Sequence, residues 1–217
     1  MRKKKFKITL IILLTLLVIS FGITLCWGTY KVSPLEVINT IIGNGTKFQN
    51  TAILNIRLPR LLVGTFVAIA LSTAGAILQT ITKNDLADTG IIGINAGAAV
   101  AAVIFITYQT SNYYSELGEL SIFILPFISI VGAGISSFVI YMLSSKNGIR
   151  PKRLLLIGIG LNAALNAFIT FITFRGGVGD YNRMLVWTSG SLWGAGWNYA
   201  KIIIPLVTLM FMVVLLN

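Results

Sequence analysis

The sequence has 217 residues, of which 56% are hydrophobic and only 11% charged, and its mean hydropathy is +0.87. A soluble domain needs far more charge to cover its surface, so this composition excludes that class and predicts an integral membrane protein. The net charge of +11 is compatible with nucleic-acid binding, but the basic residues cluster at the ends of apolar runs rather than on a separate face or domain. We therefore expect the lipid bilayer, and no nucleic acid, as a partner.

The first apolar run follows a basic N-terminus. Five of the first seven residues are Arg or Lys, and the run continues from Ile8 to about Trp27. As a helix it is long enough to cross about 30 Å of hydrocarbon. A cleaved signal peptide is the competing interpretation, but the run exceeds the usual hydrophobic region of such a peptide and no clear small-x-small cleavage site follows it. The positive-inside rule then predicts a cytoplasmic N-terminus.

Five further apolar runs of spanning length come after an outer loop at residues 28–58. Together the runs predict an all-α, polytopic membrane protein with about six spans, at residues 8–27, 61–82, 90–108, 122–143, 154–174 and 199–216. The loop at residues 144–153 carries four basic residues and no acid, which agrees with a cytoplasmic N-terminus. Residues 175–198 are too polar to span, and we expect a short outer-surface helix there. Residues 1–217 form a single predicted transmembrane domain.

Covalent chemistry and metal binding have few candidate residues. The sequence has no His, and its single cysteine, Cys26, excludes an intramolecular disulfide and any Cys/His metal cluster. Asp85 and Asp88 could ligate a cation with Asn84, but Asp88 is better explained as a helix cap. Residues 158–163 match a dinucleotide-binding pattern inside an apolar run, without the strand and helix context that such a site needs. We expect no enzyme activity, no cofactor and no metal site.

The second span carries a polar stripe on one helical face. Its members lie three or four residues apart: Ser72, Ala76, Gln79 and Lys83. Such a stripe lines a helix contact or a water-filled path, and packing is the more frequent explanation because Ser and Ala let backbones approach closely. Gly93 and Gly97 form a GxxxG motif in the third span, which likewise indicates helix packing.

The fifth span carries a more informative polar face. Wound at about 100° per residue, four amide and hydroxyl side chains fall within a narrow arc: Asn162, Asn166, Thr170 and Thr173. Neutral polar groups suit a path for a large hydrogen-bonding solute, whereas an ion or proton route more often needs carboxylates within the spans. The six acids all lie at span ends or in loops. The arc therefore indicates either a translocation path or hydrogen bonding between helices.

Arg57 and Arg60 stand at the mouth of the second span, with Pro59 between them. The proline favours an extended or first-turn geometry. The arginines could anchor to lipid phosphates, or they could dock acidic groups of an external partner, because Arg makes bidentate contacts with carboxylates. Both interpretations are open on the residues alone.

Several of these stretches resemble the FecCD/BtuC family, the membrane permeases of ABC importers for iron-siderophores, haem and cobalamin. The resemblance rests on RLPR, SxxGAxLQ, KNxLADxGIIGINAGA and LLLIGIGLNA, and runs from about Arg57 to Trp197. It implies a multi-pass permease of the cell membrane that dimerises around a central path, as a homodimer or with a different second permease subunit. It also implies an extracytoplasmic substrate-binding protein and two separate ATPase subunits as partners. The implied function is import of an iron-siderophore-like metal chelate, with haem or cobalamin as alternatives.

The resemblance also implies roles for particular residues. Arg57 and Arg60 match outward arginines that pair with glutamates on the binding protein. The fifth span, with its polar arc, borders the path. Pro151 and Lys152 occupy the position of a cytoplasmic gate.

Three departures from the family accompany this resemblance. Asp85 and Thr89 stand where the family usually has proline, and Pro151 and Lys152 stand where the cobalamin member has small hydroxyl residues. Family members also continue past a sixth span into a cytoplasmic coupling helix and further spans, whereas this sequence stops at Asn217. We therefore expect the N-terminal two-thirds of a permease, truncated at its C-terminal end. The alternative function is a non-transporting membrane remnant or scaffold.

Overall fold

The computed structural model describes residues 2–111, 121–145, 148, 150–175, 185, 188–192 and 194–216. Over these residues the protein is helical, and no strand occurs among them. The helical elements are α1 (Arg2–Cys26), α2 (Pro34–Ile41), α3 (Lys47–Asn50), a π-helical segment (Thr51–Arg57), α4 (Leu58–Thr82), α5 (Ile94–Ser111), α6 (Ser121–Ser144), α7 (Pro151–Arg175) and α8 (Trp197–Leu216). The all-α fold class is confirmed.

Five helical segments in the described part of the chain are long and apolar enough to cross a membrane. They are Lys4–Cys26, Lys47–Thr82, Ile124–Ser144, Pro151–Arg175 and Trp197–Leu216, and a shorter apolar helix covers Ile94–Tyr108. This set agrees with a polytopic membrane protein. The shorter helix begins at Ile94 rather than at Gly90, because Gly93 has a φ of +89°, which an α-helix does not accommodate.

One compact unit contains Met1–Phe66 and Leu192–Pro205. Its core is formed by Val32, Val37 and Ile53, and the half-buried Cys26 packs against that cluster as a small apolar side chain. The outer loop expected at residues 28–58 is therefore largely helical, since α2, α3 and the π-helical segment all lie within it.

Two capping boxes begin the short helices of this unit. The Ser33 hydroxyl accepts a hydrogen bond from the Glu36 N–H at 3.3 Å, while the Glu36 carboxylate accepts one from the Ser33 N–H at 2.8 Å. Thr46 and Gln49 repeat this arrangement at the start of α3. Each box satisfies backbone donors that the start of a helix leaves unpaired. The S-x-x-E and T-x-x-Q spacings in the sequence are the signal that predicts them.

A second compact unit contains Val67–Ser191 and Leu206–Asn217. Its core is an apolar cluster of Ala102, Val103, Ile106 and Leu125, from α5 and α6. Partly buried side chains of α7, Ile169 and Ile172, pack against this cluster. The three helices α5, α6 and α7 therefore form one packed group.

Glycines allow close packing in this group. A Cβ added at Gly97 would lie 2.8 Å from the Gly132 oxygen and would collide with the Ser136 side chain, so α5 and α6 approach more closely than any larger residue permits. Gly93 instead approaches α7, where an added Cβ would lie 3.0 Å from the Asn162 backbone. The GxxxG pair thus serves packing, as predicted, but its two members face different helices.

The end of α4 explains two of the four members of the polar stripe of the second span, Gln79 and Lys83. Lys83 has a φ of 51°, and Asn84 N–H bonds to Gln79 O at 3.3 Å, which is the hydrogen bond of a Schellman motif. The Gln79 side chain donates to Asp85 O at 3.0 Å. The stripe therefore includes the groups that terminate the helix.

Asp88 is not the N-cap of α5, which corrects the sequence interpretation. Its carboxylate accepts a hydrogen bond of 2.6 Å from the Gly90 N–H, and the helix begins only at Ile94. The intervening turn ends at Gly93, whose left-handed conformation delays the helix. Asp88 therefore stabilises the turn before α5, because its side chain pairs with a backbone N–H two residues further along the chain.

Candidate functional site

A cavity of about 530 Å³ lies within the second compact unit, between α5, α7 and the turn before α5. Its polar lining side chains are Asn95, Asn162, Asn166, Thr170, Thr173 and Thr188. The remaining lining residues are glycine, alanine and large apolar residues. None of the described residues that line the cavity is charged. The cavity is large enough for a sizeable part of a small-molecule ligand and offers it neutral hydrogen-bonding groups.

The four residues of the polar arc predicted from the fifth span all line this cavity. Asn162 lies nearest the start of α7 and Thr173 nearest its end. Thr173 is buried, whereas Asn166 and Thr170 are exposed to the cavity. The helical period alone predicts that these side chains share one face, and in the structure that face borders the cavity. Their role in translocation stays a prediction.

Asn95 is a cavity residue that the sequence analysis did not single out. It lies in the first turn of α5 and lines the cavity together with Ala96 and Ala99. The only sequence signal was its place in GIIGINAGA, where an Asn follows the left-handed Gly93. Its proximity to α7 depends on packing between distant segments, which one sequence does not reveal.

Two glycine contacts position α7 against the turn before α5. A Cβ added at Gly158 would lie 2.8 Å from the Ile92 side chain and 3.0 Å from its backbone. Gly93 makes the reciprocal close approach to the Asn162 backbone. Ser136 then fixes Gly93 by donating a hydrogen bond of 2.9 Å to its oxygen. These contacts set the rotation of α7 that turns its polar arc towards the cavity.

Hydrogen bonds along α7 orient the polar groups of the arc. The Asn166 amide nitrogen donates to both the backbone oxygen and the side-chain oxygen of Asn162, each at 2.9 Å. The Thr170 hydroxyl donates to Asn166 O at 2.8 Å, and the Thr173 hydroxyl donates to Ile169 O at 2.7 Å. The hydroxyl hydrogens and the Asn166 amide hydrogens are thus directed along the helix itself.

The two predicted docking arginines have different surroundings in the first compact unit. Arg57 donates through its two terminal nitrogens to the backbone oxygens of Leu25 and Tyr30. Gly28 leaves room for this, since a Cβ there would lie 2.7 Å from the guanidinium. Arg57 thereby caps the C-terminal end of α1. Arg60 is half-buried, and its Nε atom is fully buried.

The predicted gate residues begin α7. Pro151 is the first helical residue, a position where its missing N–H costs nothing and its fixed φ suits the helix. Lys152 follows it and is exposed. This geometry accounts for Pro151 as a helix start, and the gate role stays a prediction.

The described residues contain no group of three or more His, Cys, Asp or Glu side chains that could hold a metal ion. The model of the FecCD transport family matches residues 16–217. The chain belongs to the FecCD transport family. Since FecCD members of this kind are membrane proteins and the chain has several apolar helices, it is a multi-pass protein of the cell membrane.

Two FecCD relatives come from Bacillus subtilis (strain 168). The iron(3+)-hydroxamate import system permease protein FhuG is 39% identical, over 91% of this chain and 58% of the relative. The Fe(3+)-citrate import system permease protein YfmE is 33% identical, over 94% of this chain and 57% of the relative. The chain thus spans less than two thirds of the length of these relatives.

A solved structure shares the fold of this FecCD chain. It is described as a metal-chelate type ABC transporter in an inward-facing conformation. The TM-score is 0.74 with 24% sequence identity, over 96% of this chain and 60% of that chain. At this identity the similarity establishes the helical permease fold and nothing finer.

Proposed function

We propose that this chain is the permease subunit of an ABC importer that moves an iron-siderophore-like chelate into the cytoplasm. The observation that carries the proposal is the neutral polar cavity along α7, found in a member of the FecCD transport family. The names of the relatives, which specify iron-hydroxamate and iron-citrate import, support an iron chelate as the substrate. Haem and cobalamin are the substrate alternatives.

The partners in this proposal follow from the family. A second permease subunit completes the path, an extracytoplasmic binding protein delivers the chelate, and two ATPase subunits drive the cycle. Transport proceeds by alternating access, in which the path opens outward and then inward. The chain itself performs no covalent chemistry. The basic residues at the start of α1 and before α7 support a cytoplasmic position for both helix starts.

Arg57 and Arg60 are both candidates for docking the binding protein. The terminal nitrogens of Arg57 already bond to the backbone oxygens of Leu25 and Tyr30, so a carboxylate from a partner competes with a cap of α1. We propose that both arginines contribute charge to docking and that Arg57 also shapes the outer end of this unit. Reversal of both arginines to Glu should abolish uptake and weaken docking in a salt-dependent manner.

The proposal is tested by filling the cavity with a larger side chain. The substitution is made in the natural host, so that all partners of the permease are present. Thr170→Trp is introduced at the chromosomal locus, with Phe168→Trp as the control, because Phe168 is an exposed residue of the same helix that does not line the cavity. Uptake of ⁵⁵Fe-labelled chelates should fall to background in the first strain and stay at the wild-type level in the second. Unchanged uptake in the Thr170→Trp strain would exclude the cavity as the path.

Deletion of the gene distinguishes the permease from the alternative function. Loss of uptake for at least one iron chelate on deletion is expected. If deletion changes the uptake of no iron chelate, haem or cobalamin, the non-transporting membrane scaffold is the better explanation.

A further inference from the structure

We propose that one side of the cavity, formed by Asn166, Thr170 and Thr173 and here called the α7 wall, is a surface of hydrogen-bond acceptors. This surface favours electroneutral chelates with outward N–H or O–H groups over polyanionic chelates. This inference rests on the proposed function and adds to it the chemical class of the substrate. It follows from where the hydrogens of the polar arc are directed.

Asn166 presents its oxygen to the cavity. A side-chain amide has two N–H donors and one oxygen acceptor. Both donors of Asn166 are directed to Asn162, one to the backbone oxygen and one to the side-chain oxygen, each over 2.9 Å. These two acceptors also decide which end of the Asn166 amide is nitrogen. The oxygen is the end left for a ligand.

Thr170 and Thr173 also present acceptors. A hydroxyl has one donor hydrogen, and in both residues it is directed to a backbone oxygen of the preceding turn, at 2.8 Å and 2.7 Å. The lone pairs of each hydroxyl oxygen remain. Three consecutive members of the arc therefore offer oxygen acceptors to the cavity.

The Asn162 side chain can also offer donors to the cavity. Asn162 uses its side-chain oxygen to accept from Asn166, so its NH₂ group is the end that can donate to a ligand. Asn95, in the first turn of α5, also lines the cavity with a side-chain amide. A ligand with both donors and acceptors on its surface can match both kinds of group.

The charge of the chelate decides which class fits. A carboxylate-rich chelate has only acceptor oxygens on its surface and carries net negative charge. Its oxygens therefore face the acceptor oxygens of the α7 wall and form no hydrogen bond with them. The described lining residues supply no cation to balance that charge, and burying an uncompensated charge is costly. An electroneutral trihydroxamate on a cyclic peptide carries N–H groups that can bond to these acceptors.

The test varies one position of the wall and uses two probes. The probes are a ferric cyclic-peptide trihydroxamate, which is electroneutral, and the ferric dicitrate anion. The variants are Thr170→Val, which removes the acceptor at nearly constant shape, and Thr170→Lys, which adds a cationic donor. Thr80 of α4 supplies matched controls, Thr80→Val and Thr80→Lys, because its exposed hydroxyl makes the same bond to the preceding turn at 2.7 Å outside the cavity.

Binding to the purified full-length permease, without its binding protein, is the direct measurement. Wild type should bind the trihydroxamate more tightly than the dicitrate anion. Thr170→Val should weaken trihydroxamate binding about fivefold, the effect of one neutral hydrogen bond, and Thr170→Lys should shift the preference towards the anion. Both Thr80 variants should bind like wild type. Variants are compared only as monodisperse preparations with wild-type melting temperature.

Two results overturn the inference while leaving the proposed function intact. One is tighter binding of the dicitrate anion by wild type, with gene deletion still abolishing iron uptake. The other is a Thr170→Val variant that binds the trihydroxamate as its Thr80→Val control does. Failure of the proposed function has a separate signature, since gene deletion then leaves the uptake of every chelate unchanged.

Discussion

The indole nitrogen of Trp197 donates a hydrogen bond of 2.9 Å to the backbone oxygen of Leu54. Leu54 lies in the π-helical segment, where the N–H of Leu58 bonds to Ile53 O in the i to i−5 pattern. The next N–H in that pattern would come from Pro59, which has none. Trp197 therefore satisfies a carbonyl oxygen for which the helix itself has no donor.

Trp197→Phe should lower the free energy of unfolding by about 0.5–1.5 kcal/mol, the net contribution of a typical hydrogen bond. Pro59→Ala restores a backbone N–H, so the same Trp197→Phe change should cost less in that background. Chemical unfolding of the four proteins in detergent micelles measures the coupling between the two sites. Strictly additive effects would show that the proline is not the reason for this bond.

Arg57→Ala should destabilise the protein by about 2 kcal/mol, because the guanidinium bonds to the Leu25 oxygen in the last turn of α1 and to the Tyr30 oxygen in the segment after it, and such charged hydrogen bonds are stronger than neutral ones. Arg60→Glu should instead reduce affinity for the binding protein, with a marked dependence on salt. Unfolding in micelles and a binding titration at two salt concentrations separate these effects. Equal docking defects with wild-type stability in both variants would argue against the capping role of Arg57.

Gly97→Ala should cost about 1–3 kcal/mol of stability, because the added methyl meets Ser136 and the Gly132 oxygen across a tight helix contact. Gly160→Ala is the matched control, since it lies within α7 and a Cβ there meets nothing within 4 Å. The control should be neutral or stabilising by up to about 1 kcal/mol, because Ala favours helix over Gly. Thermal unfolding of both variants checks the contrast, and an unaffected Gly97→Ala variant would contradict the close approach of α5 and α6.

The polar arc of α7 was predictable from the sequence because it depends on one number, the helical period. Asn162 and Asn166 share a face in any α-helix, whatever packs around it. Asn95 was not predictable in the same way, because it reaches the cavity through the approach of Gly93 to α7. Such contacts between distant segments determine which faces meet, and hydropathy does not encode them.

The orientation of the Arg57 side chain also depends on contacts between separate segments, so the sequence did not predict it. The sequence places a charged residue at the mouth of a span, where an outward orientation is the natural expectation. In the structure the segment after α1 turns back, and Gly28 leaves space for the guanidinium to cap Leu25 and Tyr30. The orientation of this side chain is therefore a property of the loop that folds around it rather than of the span it precedes.

Glu36 should make the stability of the first compact unit depend on pH. Hydrogen bonds from the backbone N–H and then the hydroxyl of Ser33 lower the pKa of the Glu36 carboxyl below its ordinary value of 4.5. A lowered pKa in the folded state means that the stabilisation is present above the unfolded-state pKa and is lost as the pH falls through the folded-state pKa.

Glu36→Gln removes this titration while keeping a side-chain oxygen that can accept from Ser33. The wild type should be more stable than the variant at about pH 6, and the difference should shrink as the pH falls below about 4.5. Melting temperatures of both proteins across this range measure the effect. A gap that stays constant or widens on acidification would show that the charge of Glu36 does not stabilise the start of α2.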